Sequence, residues 1–361
     1  MMNSKIIVII VASFFFNSCG LGDDFKQISH KEFLQTHKYN VGQATIELMD
    51  QKRQRPIKTE IWYPTSDTTK LNITKEYPFK LPPTSNGAEI TSGKFPLIML
   101  SHGTGGNRIS QMWLACELAA IGYFVASVNH FGNTLDNKIP ENFVKVWDRP
   151  LDVSFAIDNL LTHSKWKSAI DSAKIGMVGF SLGGYTAIGL AGGVLNYNKL
   201  KNFSTTEEGE NEFILPELGD VSKLITPEII ELGNQEYKNL KDNRISAFVA
   251  MAPAIGQGFS SKSQFESVDK TILIIGAQND ERTPIKTNAK HYNNLIDSSK
   301  YAELEGKVGH YIFMNEARNG LKRSAPIIFK DDKSVDRKEI HEQVSKTIVE
   351  FFNNELNRKS H

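Results

Sequence analysis

Five short runs in this chain are apolar almost without interruption: "FPLIML" (95–100), "YFVASV" (123–128), "KIGMVGF" (174–180), "ISAFVAM" (245–251) and "TILIIG" (271–276). A strand with one wet face alternates apolar and polar residues. A strand covered on both faces has no reason to, and parallel sheets are covered on both faces. Helical patterns fill the gaps, over 109–121, 150–163, 182–193 and 284–296. A final helix sets Ile340, Val344, Ile348 and Phe351 on one side. Ahead of the first apolar run, "VGQATIELMD" and "RPIKTEIWYP" alternate like two antiparallel strands. The expected fold class is α/β, one large domain over 39–357 with a mostly parallel central sheet flanked by helices.

Three segments stand outside that alternation. Residues 64–93, with "LPPTSNGAEITSG", read as a long loop of the kind that often borders a site. Residues 196–243 separate a helix from the next strand by 48 residues. With ten acidic and five basic side chains, they read as a helical cap or lid over the strand ends, the alternative being a disordered insertion. At the N-terminus, "MMNSK" is cationic, "IIVIIVASFFF" is an eleven-residue apolar run and "NSCG" follows. That is a secretory signal over 1–18, too short to span a bilayer as a stable helix. Cys19 right after it resembles the acylated cysteine of bacterial lipoproteins, although Phe16 and Asn17 depart from the usual pattern. The expectation is therefore an exported envelope protein, held at the membrane through a lipid on Cys19 and a polar tether over 19–38. With Cys19 lipidated, Cys116 has no partner for a disulfide, and its helical surroundings make it a small core residue. A net charge of +1 without any Lys/Arg run gives no reason to expect a nucleic-acid partner, and none is expected.

The chemistry centres on "GFSLGG" (179–184). A G-x-S-x-G match alone is weak. Between a buried strand and an apolar helix it becomes the sharp turn that lifts a serine hydroxyl for use, here Ser181. Glycines that merely let the helix pack close are the bland alternative. "SHGTGGN" (101–107) follows the first parallel strand and is placed to donate a backbone N–H, that of Thr104, to the same spot as the N–H of Leu182. A phosphate-binding loop would want a lysine after the glycines, where the chain has Asn107 and Arg108. A serine needs a base, and the base an orienting carboxylate. Asp280 stands on the turn after "TILIIG", with Glu281 as the rival acid, and His310 stands on a glycine-flanked turn in "EGKVGHYIF". Of the other histidines, His30 and His37 fall in the tether, and His163, His291 and His341 on helical patterns. His102 reads as a brace for the oxyanion loop and His130 as a pocket residue. Arg149 and Asp152 read as a structural ion pair at a helix start, the alternative being a place in the site. No metal motif or dinucleotide glycine pattern competes, so no cofactor is expected. Activity should fall on acidification, because a protonated imidazole cannot serve as base.

The ordered set "SHGTGGN", "VWDRPLDVSFAIDNLL", "GFSLGGYTA", "RISAFVAMAPAIGQGF", "LIIGAQNDERTP" and "EGKVGHYIF" resembles the dienelactone hydrolase-related branch of the α/β-hydrolases. Within that branch it is most similar to plasma-type platelet-activating-factor acetylhydrolases. The resemblance runs from about residue 41 to 356 and implies an α/β-hydrolase fold, the triad Ser181–Asp280–His310 and oxyanion donors at Thr104 and Leu182. It also implies a serine esterase acting on small esters, lipid or acetyl esters among them. Dienelactone hydrolases use cysteine where Ser181 stands, and the acetylhydrolases usually carry histidine where Phe180 stands. A peptidase, amidase or thioesterase on the same triad, and a non-catalytic envelope lipoprotein, are the competing functions. The sequence does not bear on self-association.

Overall fold

The computed structural model describes residues 37–69, 71–72, 77–215 and 218–357. The signal segment, Cys19 and most of the tether lie outside the described residues. Ten strands form one sheet: β1 (Asn40–Asp50), β2 (Arg55–Thr65), β3 (Leu71–Asn72), β4 (Thr84–Asn86), β5 (Phe95–Ser101), β6 (Phe124–Val128), β7 (Ile170–Phe180), β10 (Ile245–Met251), β11 (Ile272–Ala277) and β12 (Ser299–Leu304). A separate two-stranded hairpin pairs β8 (Ile214–Leu215) with β9 (Gly219–Asp220). The order in the large sheet is β12-β11-β10-β7-β5-β6-β2-β1-β4-β3, and the six strands from β12 to β6 are parallel.

The five apolar runs are β5, β6, β7, β10 and β11, five adjacent parallel strands inside the sheet, for the reason their composition suggested. Along β5, Leu97 and Met99 join a core that includes Phe124, Met177 and Phe248. Ile98 and Leu100 point the other way, into a second core with Val125, Val178 and Val249. On the first face pack α2 (Asp148–Thr162) and α3 (Leu182–Ala191). The second is closed by α1 (Met112–Ile121) and the long C-terminal α10 (Arg337–Leu356), whose Val344, Ile348 and Phe352 are fully buried. Cys116 lies inside this second core.

Two helices start later than their apolar pattern suggests. α1 begins at Met112, because residues 106–111 are tied in turns in which the Ser110 Oγ accepts from Asn107 N–H. α7 (Ala289–Leu295) begins five residues after Pro284. The intervening segment is spent on contacts: Asn288 accepts from Gly256 N–H and donates to Glu212. The stretch 64–93 is not all loop. β4 adds to the sheet in parallel with β1, and Tyr63 and Thr65 hydroxyls donate to the Ala88 and Glu89 carbonyls. Its middle crosses to the segment after His310, where Lys80 N–H donates to Glu316 O at 2.8 Å.

Residues 196–243 form α4 (Tyr197–Phe203), α5 (Glu207–Glu212), the β8–β9 hairpin and α6 (Pro227–Gln235). Each helix is capped by a side chain that accepts a backbone N–H: Asn196 from Lys199, Thr206 from Gly209 and Thr226 from Ile229. This insertion lies over the carboxyl edge of the sheet. Glu212 accepts from Thr287 and Asn288, Arg282 donates to Ile214 O, and the Trp147 and Tyr237 rings stack at 5.0 Å. Short helices α8 (Asn319–Ser324) and α9 (Pro326–Phe329) precede α10.

Candidate active site

Ser181 sits between β7 and α3 with φ 57° and ψ −120°. A non-glycine residue held there stores on the order of 1–3 kcal/mol of strain. Its surroundings enforce that geometry: Ser181 N–H donates to Met251 O, and Ala254 N–H donates to Ser181 O. The flanking glycines answer to close approach. A Cβ on Gly179 would lie 1.7 Å from Gly183 O, and one on Gly183 would lie 2.0 Å from Ser101 O. Packing and the bent serine are thus one device, since the helix comes close only because the turn is this tight. Ala252 and Ile255, after β10, also hold positive φ, so three of the four such non-glycine residues among those described border this turn.

Sheet topology brings the three predicted groups together from three strand ends. His310 Nε2 is 3.0 Å from Ser181 Oγ, and His310 Nδ1 is 2.7 Å from Asp280 Oδ2. An ionised carboxylate only accepts, so Nδ1 carries the proton and Nε2 is left to accept from the serine hydroxyl. Asp280 is itself fixed. Arg282 N–H and Thr283 N–H donate to its Oδ1, and Thr283 Oγ1 donates to its Oδ2. All three side chains are nearly covered, Ser181 at 7% exposure and Asp280 and His310 at 6% each. The rival Glu281 is exposed. Phe180 packs against the His310 ring at 4.9 Å.

The loop after β5 wraps over the serine. A Cβ built on Gly103 would lie 3.0 Å from Ser181 Cβ, which puts the Gly103–Thr104 peptide beside the nucleophile. Among the described residues neither Thr104 N–H nor Leu182 N–H donates to an acceptor, and Leu182 is the first residue of its helix, where N–H groups go unpaired. Two surface depressions, within 316–339 and within 262–298, contain no member of the triad.

Two readings of the sequence need correction. His130 is not a pocket residue: it is fully buried, with Nε2 2.8 Å from Ser101 Oγ and Nδ1 3.0 Å from Asp152 Oδ2. Nor do Arg149 and Asp152 pair with each other. Asp152 accepts a two-pronged contact from Arg55 at 2.8 and 2.9 Å and a third from Arg53 at 2.8 Å. Arg149 reaches the other way, to the His102 carbonyl, Ser101 Oγ, Asn133 and Thr186. The second outcome has a plain cause: Arg53, in the turn between β1 and β2, and Arg55, the first residue of β2, claim the Asp152 carboxylate. His102 braces the loop after β5, its Nδ1 2.7 Å from Gly103 O and its Nε2 accepting from His130 N–H. His291 and His341 are satisfied by the Phe259 and Ile312 carbonyls.

The pair network has directional electrostatics. Burial, helped by the Arg149 charge, pushes His102 well below its ordinary value. The same two causes bring His130 down to about 3, against the pull of Asp152. Burial works to raise Asp152, but hydrogen bonds from His130 and Arg55 hold it below the usual carboxylate range.

A profile of the family described as platelet-activating factor acetylhydrolase, isoform II, matches residues 66–135. That stretch carries β5, the loop after it, α1 and β6, and stops before Ser181. No curated protein matches the chain in sequence. Among the solved structures that match is a ferulic acid esterase from Streptomyces cinnamoneus, with a TM-score of 0.59 and 18% identity, covering 90% of this chain and 94% of that one. The expected fold class is borne out by this likeness over nearly the whole chain together with the parallel sheet. The chain therefore has the fold of that esterase, and over residues 66–135 it is similar to the platelet-activating factor acetylhydrolases.

Proposed function

We propose that Ser181, His310 and Asp280 hydrolyse carboxylic esters, lipid or acetyl esters among them, through an acyl-enzyme. The observation that carries this reading is the pair of contacts through one imidazole, 3.0 Å to the hydroxyl and 2.7 Å to the carboxylate. His310 Nε2 takes the hydroxyl proton as Ser181 Oγ attacks the ester carbon. Asp280 stabilises the imidazolium without accepting the proton itself. Charge developing on the carbonyl oxygen meets the unpaired N–H groups of Thr104 and Leu182. Collapse of the tetrahedral species expels the alcohol, protonated by His310. Water then repeats the sequence on the acyl-enzyme, and the acid leaves.

The kinds of ester named for the similar proteins, an acetyl ester in one and a ferulic ester in the other, make p-nitrophenyl esters of graded acyl length the first panel to try, against peptide anilides. A fluorophosphonate is expected to label the intact protein once, at Ser181; an active preparation that never labels there would sink the assignment. Asp280→Asn is expected to lower kcat by about 10⁴-fold, by disfavouring the required tautomer. Exposed Glu281, replaced by Gln, should leave kcat near the wild-type value. The opposite ranking would move the acid role to Glu281.

The N-terminal signal and Cys19 lead us to infer export and lipid anchoring in a bacterial envelope. Several acyl chains on one cysteine, at ~0.8 kcal/mol per buried CH₂, hold a protein firmly. Cys19→Ala should release the protein from the membrane fraction, and a variant that stays there would refute the anchor.

A further inference from the structure

Arg149 is 1% exposed and its guanidinium touches three different parts of the chain. Nη2 donates to the His102 carbonyl and, at 3.4 Å, to Ser101 Oγ. Nη1 donates to Asn133 Oδ1 at 3.3 Å, and that same oxygen accepts Gly105 N–H at 3.4 Å. Nε donates to Thr186 Oγ1 at 3.3 Å, which in turn donates to Leu182 O. One buried cation therefore holds the chain on both sides of Thr104, through His102 and Gly105, and also grips the first turn of the helix that begins at Leu182. A planar guanidinium fork is suited to several fixed acceptors at once in a way an ammonium is not.

The peptide between Gly103 and Thr104 is held from the other end. Its carbonyl accepts from His102 Nδ1 at 2.7 Å and from Gly106 N–H at 3.1 Å. In a planar trans peptide the C=O and N–H point in opposite directions. Pinning Gly103 O to the His102 ring therefore turns Thr104 N–H away from that ring. Ser181 packs against Gly103 on the neighbouring side. We propose that Arg149 is a positioning residue for the oxyanion hole, clamping the His102–Gly105 loop and the start of α3 so that the Thr104 and Leu182 N–H groups converge beside Ser181. This rests on the oxyanion roles given to Thr104 and Leu182 above. His102 works in the same clamp as a neutral ring, since a protonated one would lose the Nε2 lone pair that accepts His130 N–H. Burial brings Arg149 down to about 9, which leaves it charged at neutral pH.

The test compares a p-nitrophenyl ester with its thionoester analogue. Thiocarbonyl sulfur accepts hydrogen bonds weakly, so its hydrolysis draws little on the oxyanion donors and serves as an internal reference. Arg149→Lys keeps the charge and loses the fork. It is expected to lower kcat for the oxygen ester on the order of 10²-fold, with KM little changed, and to shrink the oxygen-to-sulfur rate ratio roughly tenfold or more. Asn133→Ala, which frees Gly105 N–H and leaves the guanidinium in place, is expected to shrink the same ratio less. Equal slowing of both esters in the folded variants overturns the proposal, as does an unchanged kcat. Should Arg149→Lys fail to fold by circular dichroism, the ratio in Asn133→Ala decides alone. A failed clamp leaves hydrolysis dependent on Ser181; hydrolysis surviving Ser181→Ala would instead remove the triad reading beneath it.

Discussion

Ser181→Ala is expected to lower kcat for a p-nitrophenyl ester by on the order of 10⁶-fold, leaving only what binding and the oxyanion donors supply. The size follows from the arrangement. Among the described residues the hydroxyl has one hydrogen-bond partner, His310 Nε2, and that imidazole has one orienting carboxylate, so the three side chains act as a unit. Groups that act as a unit are strongly non-additive, and adding His310→Ala to Ser181→Ala should cost little more. Stability is expected to hold, because the backbone contacts that impose the φ of 57° run through Ser181 N–H and C=O and not through its Oγ. A variant hydrolysing esters within tenfold of wild type while folded would end the nucleophile assignment.

What the sequence made legible was whatever depends on a strand's own two faces or on chain order. Runs such as "FPLIML" could be placed because both faces of β5 are covered, a property of the residues themselves. Ser181, Asp280 and His310 could be named because each stands just after a recognisable buried strand, and the sheet order sets those strand ends side by side. The clamp was not legible. Asp152 lies three residues after Arg149, and nothing local reveals that Arg53 and Arg55, nearly a hundred residues upstream, take the carboxylate first. His130 looked like a pocket residue because its loop leaves the right edge of the sheet; only the position of Ser101 and Asp152 shows that the ring turns inward. β3 and β4, at two and three residues, are too short to carry any period.

The buried histidines set a second large effect, on stability against acid. His130 and His341 are lowered to about 3 in the folded chain, both chiefly by burial, and His102 is lowered well below its ordinary value by burial and the Arg149 charge. In the unfolded chain each takes up its proton near 6.5. Between 6.5 and about 3 the unfolded state therefore binds more protons, so stability is full above that window and is lost as the pH falls through it. Each such group contributes a slope of up to ~1.4 kcal/mol per pH unit, and three acting together approach ~4. Against a total of roughly 5–15 kcal/mol, that slope is enough to unfold the chain within about four pH units below 6.5. His102 and His130 are both fully buried, and protonating them would set new charge beside Arg149. His341 stacks on Trp113 and is brought down as far as His130, again chiefly by burial. Urea midpoints measured from pH 7.5 to 4.5 are expected to fall steeply below 6.5. His341→Phe, which keeps a ring over Trp113 and cannot take a proton, should flatten that slope by up to one proton. Midpoints that stay level between pH 7 and 5 would mean that these rings charge in place, and that the network around Arg149 accommodates the charge.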